Sequence, residues 1–281
     1  MKRLIVYFLL SYLISWLMWL PLYAPAIGLG TMPVLPYHHA IGAFGPFLAA
    51  IITTALFDRK ALPALLNKCF SLGNIVMLQV ALFAPFLIAI AAITIVGLFG
   101  GGSFDFSSIG TSDEFPGWGL LMFTVYNIFT FGYGEEMGWR GYALPRLQQR
   151  FTALTSSLIL TVFWALWHLP LFLYRPGYVS MDMAGMIGWL LSLLTGSILL
   201  TWLFNTSRGS VLVCALFHAT VDVAFTSANM NASVVSYMGA IITIWGILTI
   251  LIYKGKNLSV APRFKFSEYF NYKTDDNQHS L

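Results

Sequence analysis

The chain has 281 residues, of which 58% are hydrophobic, 16% are aromatic and only 9% are charged, with a formal net charge of +4 and a mean hydropathy of +0.77. Soluble domains carry about 25% charged residues, so this composition excludes a water-soluble fold and makes the bilayer the natural solvent. No basic stripe runs along the chain, which excludes nucleic acid as a partner.

A membrane-spanning helix needs about 20 mostly apolar residues, and eight stretches qualify: roughly 4–23, 38–57, 74–99, 117–134, 152–173, 183–204, 209–228 and 234–253. Pro25, Pro33 and Pro36, the run Gly100 to Gly102, and Pro176-Gly177 punctuate the links. The expected architecture is all-α: a polytopic transmembrane helix bundle of about eight spans with both termini cytoplasmic. It divides into an N-terminal part (1–116, three helices and an external loop), a core (117–253, helices 4–8) and a polar cytoplasmic tail (254–281).

The first stretch begins with Lys2 and Arg3 and runs to Ala24-Pro25-Ala26, a pattern shared with cleavable signal peptides. Its apolar run is longer than a signal core, and Trp16, Trp19 and Tyr23 suit an interfacial anchor, so an uncleaved span is the expected reading. His38, His39 and His279 fall outside the apolar cores and read as surface residues. Cys69 and Cys214 lack metal or redox spacing and read as reduced packing residues.

Charge tests the span count independently, because cytoplasmic segments are enriched in Lys and Arg. With the N-terminus inside, Lys2, Arg3, Arg59, Lys60, Lys68, Arg140, Arg146, Arg150, Arg208, Lys254, Lys256, Arg263, Lys265 and Lys273 fall on the cytoplasmic side, and Arg175 alone falls outside. The loop 100–116 carries Asp105, Asp113 and Glu114 but no basic residue, as an external loop should. Lys254 to Lys265 is expected to lie against anionic lipid head groups, and Thr274 to Leu281 to be disordered.

Ionisable groups inside a span cost about 2.5–3.5 kcal/mol each on insertion scales and mark function by default. Glu135, Glu136, His168, His218 and Asp222 lie in or at the ends of apolar stretches, with Arg140 following. On a helix, Glu136 and Arg140 stand at i and i+4 and can pair, while Glu135 is rotated about 100° away toward a cavity. His218 and Asp222 are also at i and i+4, so Asp222 could take the Nδ1 proton of His218. Alone, each of these reads equally well as a helix-end salt bridge, a packing histidine or a helix–helix hydrogen bond. Together they supply a base for water, an acid for a leaving amine and a donor for an oxyanion. No Ser or Cys stands beside a base in these motifs, which favours a water nucleophile.

The pattern Glu-Glu-x-x-x-Arg (Glu135, Glu136, Arg140), His168 in an aromatic segment and His-x-x-x-Asx (His218, Asp222) resembles the three motifs of the CPBP family. That family comprises type II CAAX prenyl endopeptidases and bacteriocin-processing or immunity proteins. The resemblance covers about 127–222. It departs twice: Trp164 stands where the family has Phe, and Asp222 where it commonly has Asn. An ionised Asp would repel an oxyanion, so Asp222 is either protonated, an orienter of His218, or part of a cation site.

By similarity the fold is an eight-helix bundle whose cavity opens toward the cytoplasmic side and the membrane. The resemblance implies Glu135 as general base with His168 sharing the water, His218 and Asp222 facing the oxyanion, and Glu136 with Arg140 as a structural pair. The family is labelled metalloprotease, so Glu135, His168 and His218 could ligate Zn2+, or Glu and His could activate water without metal. The residues leave both open.

The expected function is an intramembrane endopeptidase acting on a membrane-tethered peptide or protein. Membrane lipids are its further partners, and the plasma membrane of a prokaryote is its implied location. The alternatives are a non-catalytic immunity or scaffold protein, and a proton-coupled transporter. The absence of inverted repeats counts against the transporter.

Overall fold

Asn74 begins a helix because its side-chain oxygen accepts the amides of Val76 and Met77, and Thr152, Asp182 and Ser210 cap three later helices in the same way. The computed structural model describes residues 2–100, 106, 107, 109–227, 230 and 232–270. Asp105, Lys273, His279 and the tail 274–281 therefore lie outside the described residues. The major helices are α1 (Lys2–Tyr23), α2 (His38–Phe57, broken at Phe44), α3 (Ile75–Phe99), α4 (120–148), α5 (Ala153–Trp167), α6 (Met183–Thr206), α7 (Val211–Phe225) and α8 (Ala232–Asn257). No strand occurs among the described residues, and the chain is an integral, multi-pass helix bundle.

Among the described residues, six helices are long and apolar enough to cross a membrane. The two expected stretches outside that set differ for physical reasons. Helix α7 has 15 residues, short of a straight crossing. The expected 117–134 span instead runs on to Gln148 and so includes Glu135, Glu136, Arg140 and Arg146. Arg140 is consequently an interior residue, fully buried in the bundle.

Inward and outward faces separate as lipid solvent requires. Leu9, Leu13 and Leu17 of α1 are exposed, while Ser11, Ser15 and Trp19 are buried. Ser15 accepts the indole N–H of Trp167 at 2.8 Å, so α1 is tied to α5 by a hydrogen bond within the apolar interior. In α3, Pro85 cannot donate to the Ala81 carbonyl one turn back. Thr220 of α7 donates its hydroxyl there instead, at 2.6 Å, so a proline on one helix fixes the register of the next.

The chain alternates between two ends of the bundle. At the end holding the N-terminus, Arg3 pairs with Asp58, Arg146 pairs with Asp58 at 3.0 Å, and Gln148 bonds Asn205 at 3.0 Å. Residues 258–269 dock at this end, while Lys254 and Lys256 stay exposed. Leu258, Phe264 and Tyr269 are buried, and Tyr269 donates its hydroxyl to the Gly141 carbonyl at 2.6 Å. At the opposite end Arg175 grips Glu114 at 2.6 and 3.0 Å, and Gly110 donates its amide to Ser227 at 2.9 Å.

Candidate active site

Helix α4 is not a regular α-helix. It widens to π-helical turns over Ile128–Tyr133 and Met137–Ala143, leaving Gly134–Glu136 as one α-helical segment between them. Such widenings recur at functional sites because each re-aims the side chains beside it. Two glycines let this helix touch its neighbours backbone to backbone. A Cβ on Gly132 would stand 2.5 Å from the Ala215 carbonyl of α7, and one on Gly138 would stand 2.6 Å from Pro46 of α2.

The two adjacent glutamates are held differently. Glu136 and Arg140 are fully buried and paired at 2.9 Å, and the same Glu136 oxygen, Oε1, lies 2.8 Å from His218 Nδ1. A carboxylate can only accept there, so His218 Nδ1 carries a proton. This corrects the expectation that Asp222 holds that proton. Asp222 Oδ2 lies 3.6 Å from the other ring nitrogen, Nε2, with its side chain 31% exposed. Glu135 turns away from the pair, and one of its oxygens, Oε2, accepts the Trp164 indole N–H at 2.7 Å.

Trp164 organises the rest. The Arg140 guanidinium sits 4.8 Å from its ring centre, a cation–π contact in addition to the ion pair. The Trp164 carbonyl accepts from His168 Nδ1 at 2.7 Å. Because a carbonyl cannot donate, neutral His168 keeps its lone pair on Nε2. The Trp164 ring centre lies 5.9 Å from His168 and 5.5 Å from His218.

Glu135, His168, His218 and Asp222 all line one cavity of about 580 Å3, whereas Glu136 and Arg140 stay behind its wall. Sequence reading missed several other lining residues. His39, expected at the surface, is half-buried against Trp19, and its Nδ1 lies 2.7 Å from the Tyr174 hydroxyl. His38 is also engaged, with Nε2 2.7 Å from the Met18 carbonyl. Tyr178 lines the cavity and stacks on His168 at 6.1 Å. The aromatic richness of residues 163–178 was the available signal, but periodicity alone cannot tell a cavity wall from a packed core.

The rim comprises Asp113, Glu114, Arg175, Gly177 and Thr226, all at the end opposite Lys2. The resemblance implied an opening toward the cytoplasmic side and the membrane; the mouth lies at the end opposite the N-terminus.

The candidate metal ligands Glu135, His168 and His218 do not gather into a three-residue group able to hold an ion among the described residues. Their hydrogen bonds engage His218 Nδ1 with Glu136, His168 Nδ1 with Trp164, and one Glu135 oxygen with the Trp164 indole, and leave each group a second donor atom.

Comparison with known proteins points to the same stretch. Residues 117–224 match a family model described as type II CAAX prenyl endopeptidase Rce1-like. Over 181 residues the chain is 26% identical to CAAX prenyl protease 2 of Methanococcus maripaludis, covering 62% of this chain and 64% of that protein. The chain therefore spans a little under two thirds of this relative's length. The matched region 117–224 includes every residue of the site from Glu135 to Asp222.

Proposed function

We propose that the chain, whose residues 117–224 match the type II CAAX prenyl endopeptidase Rce1-like model, is an intramembrane endopeptidase that cleaves a membrane-associated protein or peptide with a Glu135-activated water. The observation that carries this reading is the single cavity shared by Glu135, His168, His218 and Asp222. It lies inside an apolar bundle, where unshielded charges would otherwise be disfavoured.

Glu135 keeps Oε1 for water while Trp164 occupies Oε2. As the water oxygen attacks the peptide carbonyl, its proton passes to Glu135, with the His168 Nε2 lone pair orienting the second O–H. The carbonyl π electrons move to oxygen, and the oxyanion forms beside His218. With Nδ1 protonated toward Glu136, His218 in its doubly protonated form donates Nε2–H to that oxyanion. Asp222, 3.6 Å from Nε2, balances the imidazolium charge. Collapse of the intermediate breaks the C–N bond, and the proton held by Glu135 goes to the leaving nitrogen. General acid–base assistance of this kind contributes about 10²–10⁴-fold.

The test is cleavage of a membrane-tethered reporter peptide by the full chain in lipid. Glu135→Ala and His168→Ala, at wild-type expression, are each expected to lose activity by at least that range. Full activity in either variant overturns the reading.

A further inference from the structure

We infer that Tyr178 is a further catalytic residue: its hydroxyl donates a hydrogen bond to the oxyanion and fills the donor place that Asp222 cannot fill. The inference rests on the hydrolase reading for the reaction, and on independent geometry for the position of the hydroxyl.

The chemistry sets the need. When water adds to a peptide carbonyl, the π electron pair moves to oxygen, and the charge that develops is held by preorganised donors. His218 Nε2–H supplies one. Asp222, 3.6 Å from the same nitrogen, has no proton to give when ionised. Other donors lining the cavity are committed elsewhere. Trp19 donates to the His39 carbonyl at 2.7 Å, Asn127 to the Phe123 carbonyl at 2.8 Å, and Arg175 to Glu114 at 2.6 and 3.0 Å. Thr226 donates to the Asp222 carbonyl and Ser227 to the Val223 carbonyl, each at 2.7 Å.

Tyr178 is placed differently. It lines the same cavity, and its ring lies nearly parallel to that of His168, at 15° with centres 6.1 Å apart. Phe172 and Trp189 close on it edge-on at 5.1 and 5.8 Å, so the ring is boxed. The backbone beneath is also held: the Tyr178 amide donates to the Arg175 carbonyl at 2.9 Å, and Arg175 is gripped by Glu114. The Trp189 side chain is the hydrogen-bond partner of the hydroxyl. An indole can only donate, so the phenolic oxygen accepts there and its own proton is left to give. The carboxylates whose charge acts on that hydroxyl are Glu135 and Asp222. The hydroxyl therefore stands among the groups that handle the water and the oxyanion. A phenol, with an ordinary pKa of about 10, keeps its proton at neutral pH. Tyr178 thus gives a hydrogen bond and no proton, and the leaving nitrogen still takes its proton from Glu135.

The experiment uses the purified full chain in lipid with the tethered reporter peptide. Tyr178→Phe keeps the ring and its box and removes one oxygen. Its kcat is expected to fall about 100-fold, with KM and melting temperature close to wild type. A kcat within a few-fold of wild type, or a loss carried by KM alone, overturns the inference. In an Asp222→Asn background the new amide can donate, so Tyr178→Phe is expected to cost less than about tenfold there. An undiminished loss in that background overturns the inference.

A second measurement reads the same donor without turnover. The probe is a phosphonate analogue of the reporter peptide, whose charged oxygens stand where the oxyanion would. Tyr178→Phe is expected to weaken phosphonate binding at least tenfold and binding of the peptide itself by less than about threefold, because the contact is made with the developing charge. Equal weakening of both overturns the inference. If the wild-type chain does not cut the reporter, the hydrolase reading fails while the phosphonate still decides whether Tyr178 donates to an anion.

Discussion

The Trp164 indole N–H donates to Glu135 at 2.7 Å, so the residue that stands where the resembled motif has phenylalanine is the one that orients the proposed base. A phenylalanine keeps an aromatic wall but has no donor. Hydrogen bonds to charged groups contribute about 1.5–3 kcal/mol. Trp164→Phe is expected to lower cleavage by about 10–100-fold with little change in melting temperature. Wild-type rates in this variant would show that the contact does not hold Glu135.

The Glu136–Arg140 pair predicts a stability effect in place of a purely catalytic one. Removing one partner of a buried ion pair costs about 3–5 kcal/mol because the other charge is stranded. Arg140→Met is expected to lower the melting temperature in detergent, and Glu136→Gln to lower it less, since Arg140 keeps a neutral acceptor and its contact with Trp164. Glu136→Gln also removes the charge beside His218 Nδ1 and is expected to reduce turnover more than substrate binding.

Close backbone packing at Gly138 predicts sensitivity to a single methyl group. The added carbon would meet Tyr7 Oη at 2.4 Å and Pro46 Cβ at 2.6 Å. Overpacking of this kind costs about 1–3 kcal/mol. Gly138→Ala is expected to destabilise the bundle measurably in thermal melts, whereas Gly188→Ala, with nothing within 4 Å of the added carbon, is expected to be silent.

The docked segment after α8 is predicted to depend on one buried asparagine of α6. Asn205 donates to Gln148 at 2.9 Å and to the Asn257 carbonyl at 2.8 Å, and it accepts the Phe264 amide at 3.0 Å. Asn205→Ala leaves buried partners unsatisfied, each costing about 1–3 kcal/mol. Faster proteolysis of residues 258–270 is expected, and unchanged protection would show that packing of Phe264 and Tyr269 suffices.

Much of this was legible in the sequence because lipid imposes simple rules. Apolar runs gave most helices to within a few residues, the fourth excepted because it runs on to Gln148, and the i, i+4 spacing anticipated the Glu136–Arg140 pair and the turning away of Glu135. What was not legible depends on atoms brought together from distant segments. The choice of Glu136 over Asp222 as partner of His218 Nδ1 depends on how α4 and α7 meet at Gly132. The π-helical turns leave no residue signature distinct from ordinary helix. His39 looked like a loop residue because its partners, Trp19 and Tyr174, are 20 and 135 positions away. The tail looked polar, yet Phe264 and Tyr269 each needed only one favourable slot to be buried.

The central claim is that Glu135 is the base that activates water, and Glu135→Gln tests it most directly. This substitution keeps shape and the bond from Trp164 but removes the base. Cleavage of a tethered reporter by purified variant and wild-type chain, with melting curves recorded on the same preparations, is the decisive measurement. The account predicts loss of cleavage by at least about 100-fold at unchanged melting temperature. Cleavage within a few-fold of wild type would contradict it.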